Sequence, residues 1–131
     1  MWVPRQPRFW LLGFTTWFVV LWILSSGAQP EGIMPTFPFG DKVAHFGYFF
    51  GGSGLLTAYF FTRRLGEPCW KIISLSVILT LGLIGLLDEF HQSFVSGRSG
   101  NDPFDWFADV LGAAAGVWVF KFTHTRFNWK S

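Results

Sequence analysis

Four stretches of this chain carry no Asp, Glu, Lys or Arg: Phe9 to Pro30, Val43 to Thr62, Ile72 to Leu87 and Val110 to Phe120. The first two hold 22 and 20 residues, enough at about 1.5 Å per residue to cross a hydrocarbon core of about 30 Å. The third, of 16 residues, covers only about 24 Å at that rise. Asp88, Glu89, Phe90, His91 and Gln92 therefore continue it at, or partly within, one membrane face. The fourth, of 11 residues, reaches spanning length only if its helix starts near Phe104 and carries Asp105 and Asp109 into its outer part. The expectation is an all-α integral membrane bundle of four transmembrane helices, at about 9–28, 43–62, 71–92 and 104–122, within a single membrane domain of 1–131.

Composition agrees. Charged residues make up 14% and aromatics 21%, against about 25% charged in soluble domains. That balance excludes a water-soluble globule and a disordered chain. Cys69 is the single cysteine, which leaves no internal disulfide and no C-x-x-C pair for zinc. No heptad or other repeat is visible, and no nucleic-acid partner is expected.

Lys and Arg in the connections set the orientation. With four spans, Arg5, Arg8, Arg63, Arg64, Lys71, Lys121, Arg126 and Lys130 fall on one side, eight of the ten basic residues. Only Lys42 and Arg98 fall on the other. The positive-inside rule places both termini in the cytoplasm and the loops Ser25 to Gly40 and Ser93 to Asn101 outside. The expected location is the bacterial cytoplasmic (inner) membrane, multi-pass. Two readings of the first span stay open. Its length and its Trp10, Trp17 and Trp22 favour a retained helix, whereas Arg5, Arg8 and the small residues Ser26-Gly27-Ala28 resemble a cleaved signal peptide.

Local signals complete the frame. Pro30, Pro35 and Pro38 break helix in the first outer loop, and Asp41 is placed to cap the second helix. Asp102-Pro103 reads as an N-cap followed by Pro at the first helical position, with Asp105 at the third. Gly66 and Pro68 break the Arg63 to Cys69 turn. Gly47 with Gly51, and Gly112 with Gly116, have the spacing that allows close helix approach in lipid. Trp and Phe read mainly as lipid-facing or interfacial anchors, and His124 as surface.

The candidate site gathers at the outer face. The second helix brings Asp41, Lys42 and His45, the third Asp88, Glu89, His91 and Gln92, the outer loop Arg98, and the fourth helix Asp105 and Asp109. Asp41 and His45, Asp88 and Gln92, and Asp105 and Asp109 are each four apart and share a helix face. His91 joins the face of Asp88, while Glu89 lies about 100° away. Ionisable groups in membrane helices are costly and functional by default. Simpler roles stand beside these: Asp41, Asp102 and Asp105 as helix caps, Lys42 as a snorkelling chain, Arg98 as a solvated loop residue.

Asp41-Lys42-Val43-Ala44-His45-Phe46, Asp88-Glu89-Phe90-His91-Gln92, Gly97-Arg98 and Asp105-x-x-Ala108-Asp109-x-x-Gly112-x-x-x-Gly116 together resemble the VanZ-like membrane proteins, over roughly Asp41 to Trp118. The resemblance implies a small bacterial multi-helix membrane protein of a family named for a member linked to low-level resistance to the glycopeptide teicoplanin. The family often has Tyr where this chain has Phe49. It often has Asn at the position of Asp109, which implies that a charge there is dispensable.

The leading functional expectation is a site that binds the headgroup of a cell-envelope lipid or a lipid-linked envelope precursor, with processing of that headgroup left open. Arg98 and Lys42 hold phosphate in this reading. Asp41, Asp88, Glu89, Gln92, Asp105 and Asp109 meet sugar or amine groups, and His45 or His91 moves a proton. His45, Asp88, Glu89 and His91 are the candidate catalytic residues. A less favoured alternative is a membrane hydrolase or transferase with a divalent metal on His45, His91, Asp88 and a fourth carboxylate. A small transporter or flippase ranks last, because the charges stop at the outer end. Membrane lipids are the expected surroundings, with a homo-oligomer among the options.

Overall fold

The computed structural model describes residues 5–27, 37–98 and 100–127. Four helices follow in order, α1 (Pro7–Ser26), α2 (Gly40–Arg63), α3 (Trp70–Gln92) and α4 (Pro103–Phe127), with no strand among the described residues. All four expected helices are present. The largest difference is at α4, which runs on past residue 122 to Phe127. Pro30, Pro35 and Ala28, on which the loop and cleavage-site readings rest, lie outside the described residues.

The helix ends follow local chemistry. Pro7 occupies the start of α1, where a missing N–H costs nothing. The Asp102 carboxylate accepts the backbone N–H of Phe104 at 2.9 Å, the cap expected before Pro103. At α2 the expectation fails. Phe39, in the left-handed region at φ 65°, is the cap residue and makes no side-chain cap bond. Asp41 sits two positions past the cap, in the first turn, and its carboxylate is taken by Lys42 instead. Gly66, at φ 89°, makes the α2–α3 turn.

The central pair is α2 with α4. Ser53 Oγ donates to the carbonyl of Ala113 at 2.6 Å, 60 residues later, and His45 meets Asp109 across 64. A nearly constant offset along both helices means that they run parallel. Gly112 and Gly116 permit the approach: a β-carbon at Gly112 would lie 2.3 Å from the Phe46 carbonyl oxygen, and one at Gly116 2.8 Å from that of Phe50. The second glycine pair does not act as expected, since a β-carbon at Gly47 or Gly51 would meet no neighbouring element within 4 Å. The contact glycine of α2 on its other side is Gly52, which lies against the Trp17 ring.

Helix α1 docks through Trp17, Leu21 and Ser25, a stripe at four-residue spacing. Trp17 Nε1 donates to the Tyr48 carbonyl at 3.0 Å, and the Tyr48 hydroxyl returns a bond to the Trp17 carbonyl at 2.9 Å. Trp17 is thus core rather than an interfacial anchor, because its N–H has a partner only inside the bundle. His124 also departs from expectation. It is half-buried at the far end, edge-on to Phe61 at 4.4 Å and close to Trp70.

Polarity is inverted relative to a soluble bundle. Ser53, Thr57, Asp88, Glu89 and Asp109 are buried, while Leu12, Ile23, Leu79 and Trp118 are each more than 60% exposed. Two of the described helices, α1 and α3, are long and apolar enough to cross a membrane. Helices α2 and α4 are less apolar because they carry the glycines of the contact and Asp41, Asp105 and Asp109.

Candidate functional site

Starting α2 at Gly40 puts Asp41, Lys42 and His45 in its first two turns. The parallel run of α4 brings Asp105 and Asp109 alongside. Lys42 Nζ lies 2.6 Å from Asp41 Oδ2, 2.9 Å from Asp102 Oδ2 and 2.8 Å from Asp105 Oδ1. One ammonium is therefore shared by three carboxylates, hydrogen-bonded to Asp41 and Asp102 and ion-paired with Asp105. Asp102, outside the helices, is held below the usual carboxylate range, first by its bond from Lys42 and then by the Phe104 N–H.

One turn deeper, His45 Nδ1 lies 2.9 Å from Asp109 Oδ1, and Nε2 lies 3.8 Å from Asp105 Oδ2. With the Asp109 carboxylate as acceptor, Nδ1 carries a ring proton, and Nε2 faces Asp105. Asp109 is completely buried. Its second oxygen fits against α3 only because residue 85 is glycine, where a β-carbon would lie 2.7 Å away.

The last turn of α3 splits its polar residues between two neighbourhoods. Glu89 joins the α2–α4 cluster: its Oε2 accepts the Asp102 backbone N–H at 2.9 Å, and a carboxylate oxygen lies within 4.8 Å of ligand atoms on His45 and Asp105. Asp88, one residue step round the helix, accepts from Gln92 Nε2 at 2.7 Å, and Gln92 reaches Ser25 Oγ of α1 at 3.4 Å. Asp88 Oδ1, Glu89 Oε1 and Asp109 Oδ2 are buried acceptors with no donor from the described residues.

Two expected members of the cluster are placed elsewhere. His91 stacks on Trp22 of α1, centroids 4.1 Å apart and planes within 7°. It does not share a site with His45, so the ligand set His45, His91 and Asp88 is not assembled. Arg98 Nε donates to the Gly27 carbonyl at 2.9 Å and its Nη2 to that of Leu24 at 2.5 Å. Its guanidinium therefore closes the carbonyl end of α1, where a cation is favoured. Sequence spacing missed Asp102 as a Lys42 partner. The Asp-Pro signature explains one of its oxygens as a cap and is silent about the other.

Three helices thus deliver a half-buried imidazole and buried carboxylates to one level of the bundle, flanked by an ammonium that is already neutralised. This arrangement suits a ligand rich in donors or positive charge. It has no free guanidinium or ammonium among the described residues to offer an anion. No curated protein and no solved structure matches the chain. A family model described as VanZ/LLP1 matches residues 4–124, taking in all four helices nearly to the end of α4. With two helices apolar enough to cross a membrane, the match makes this a membrane protein, and the chain belongs to the VanZ/LLP1 family.

Proposed function

We propose that this protein crosses the bacterial cytoplasmic membrane four times with both termini inside, and that its outer-face cluster binds the polar headgroup of a cell-envelope lipid or lipid-linked glycan. One observation carries the reading. Asp88 Oδ1, Glu89 Oε1 and Asp109 Oδ2 are buried acceptors without protein donors, on residues no more than 2% exposed. Leaving such groups unsatisfied is expensive, and the hydroxyls or amines of a headgroup supply the donors. His45, held by Asp109, is the group placed to move a proton if the bound headgroup is processed. Engagement of an envelope precursor also fits the glycopeptide-resistance trait for which the family is named.

Native mass spectrometry of the protein extracted in mild detergent tests the binding. A polyprenyl- or glycan-bearing lipid is expected on the wild type and is lost in Glu89→Gln. Wild-type protein that carries only bulk phospholipid, at the same level as Glu89→Gln, ends the headgroup reading.

The topology has its own test. Cys69 is exposed in the α2–α3 connection, which this orientation puts in the cytoplasm. A membrane-impermeant maleimide applied to intact cells is expected to leave Cys69 unlabelled. In a Cys69→Ser background it labels Ser96→Cys in the α3–α4 loop. Labelling of Cys69 from outside reverses the orientation and puts the cluster on the cytoplasmic face.

A further inference from the structure

The three residues that meet between α2, α3 and α4 have a feature that plain acidic clusters lack: each is held by a different protein group through one atom and has a second ligand atom left over. His45 Nδ1 is fixed by Asp109, which leaves Nε2 free. Asp105 Oδ1 is fixed by Lys42, and Oδ2 lies 3.8 Å from His45 Nε2. Glu89 Oε2 is fixed by the Asp102 backbone N–H, and Oε1 is left without a donor on a residue only 2% exposed. One ligand atom from each lies within 4.8 Å of the other two. Two ligands bound at about 2.1 Å in tetrahedral geometry sit roughly 3.4 Å apart, so small side-chain movements close this triangle on an ion.

We propose that His45 Nε2, Asp105 Oδ2 and Glu89 Oε1 form a binding site for one divalent transition-series cation, with Asp109 as the positioning residue for His45. An imidazole with two carboxylates suits Zn²⁺ or Mn²⁺ better than Ca²⁺, which takes oxygen ligands, or Cu(I), which takes sulfur. The carboxylate behind His45 is the recurrent outer partner of metal-bound histidines: it fixes the tautomer and turns the ring. A second acidic trio, Asp41, Asp102 and Asp105, also has ligand spacing, but the Lys42 ammonium already occupies its centre.

The site rests on the headgroup reading and deepens it. Lys42 is consumed by three carboxylates and Arg98 by the end of α1, so neither is available to a lipid phosphate. A cation with three protein ligands keeps coordination positions open and supplies the positive charge that a phosphate-bearing headgroup requires. The ligand class is then a lipid phosphate held through a metal, with hydroxyls meeting the remaining carboxylate oxygens.

The test uses the full chain in mild detergent, stripped with a chelator and titrated calorimetrically with Zn²⁺ and with Mn²⁺. One ion per chain is expected. Glu89→Gln lowers the affinity at least about tenfold, as loss of a ligand must if the loss of an outer partner alone costs roughly 10–100-fold. Asp109→Leu falls within that outer-partner range, while Asp109→Asn, whose amide oxygen still accepts the Nδ1 proton, stays within about threefold. Glu67→Gln, an exposed acid at the opposite end of the bundle, binds as the wild type does. Absence of saturable binding to the wild type overturns the proposal even if every variant misfolds, and so does equal binding by Glu89→Gln. Native spectra before and after chelation separate the two readings. A lipid retained equally without metal sinks the cation and leaves the headgroup standing. A metal retained when no envelope lipid is found does the reverse.

Discussion

Alanine at Gly112 is expected to destabilise the bundle by about 2–3 kcal/mol, in the upper part of the usual overpacking range, while alanine at Gly47 or Gly51 leaves it unchanged or slightly firmer. A methyl at Gly112 meets the Phe46 carbonyl oxygen at 2.3 Å and the Phe50 nitrogen at 3.1 Å. Both atoms are backbone, so no rotamer change relieves the clash and α4 must move off α2. Phe46 follows His45 directly, and Gly112 lies less than one turn from Asp109. The displacement therefore also opens the 2.9 Å His45–Asp109 contact. At Gly47 and Gly51 an added methyl meets nothing, and alanine is the better helix former by up to about 1 kcal/mol. Thermal unfolding of the three variants in mild detergent decides the matter. Equal behaviour of Gly112→Ala and Gly47→Ala removes α2–α4 apposition as the basis of the fold.

Lys42→Met is expected to cost about 3 kcal/mol, the lower end of what breaking a buried ion pair costs, because a quarter of the Lys42 side chain remains exposed. Methionine keeps the apolar stem and removes only the charge. Asp41, Asp102 and Asp105 then face one another with no cation, and Asp105, with 8% of its side chain exposed, has least access to water. Adding Asp105→Asn to Lys42→Met recovers part of the loss, because it removes the most deeply placed of the three charges. A double-mutant cycle on unfolding temperature measures that coupling. A loss below about 0.5 kcal/mol would identify Lys42 as a snorkelling side chain with no structural task.

The helices were legible because charge-free length is a one-dimensional property: the gaps at Phe9–Pro30 and Val43–Thr62 mark α1 and α2 without reference to anything else. The level of the site was legible for the same reason, since Asp41, Glu89 and Asp105 all stand near helix ends on one side. What spacing does not carry is how each helix is turned about its axis. Asp88 and Glu89 differ by one residue step, yet one faces Gln92 and Ser25 and the other faces His45 and Asp105. His91 has the spacing to accompany Asp88 but is drawn onto Trp22, where ring stacking wins. Gly47-x-x-x-Gly51 and Gly112-x-x-x-Gly116 are identical as patterns, and only the second is turned towards a neighbour. Arg98 looked like a ligand for phosphate because its helix-end partners, Leu24 and Gly27, lie more than 70 residues earlier in the chain.

The parallel pairing of α2 and α4 also dictates when the site comes into being during synthesis. Lys42 waits 60 residues for Asp102, and His45 waits 64 for Asp109. Until α4 is made, α2 stands with an ammonium paired only to its neighbour Asp41 and an imidazole paired to nothing in the cluster. Glu89 arrives in the meantime as a third unmatched polar group. Asp102, Asp105 and Asp109 all follow residue 100, so the contacts of the cluster are completed together, when α4 packs against α2. A chain stopped short of Pro103 therefore holds every residue of α2 and α3 that faces the site and none of the α4 carboxylates that fix them.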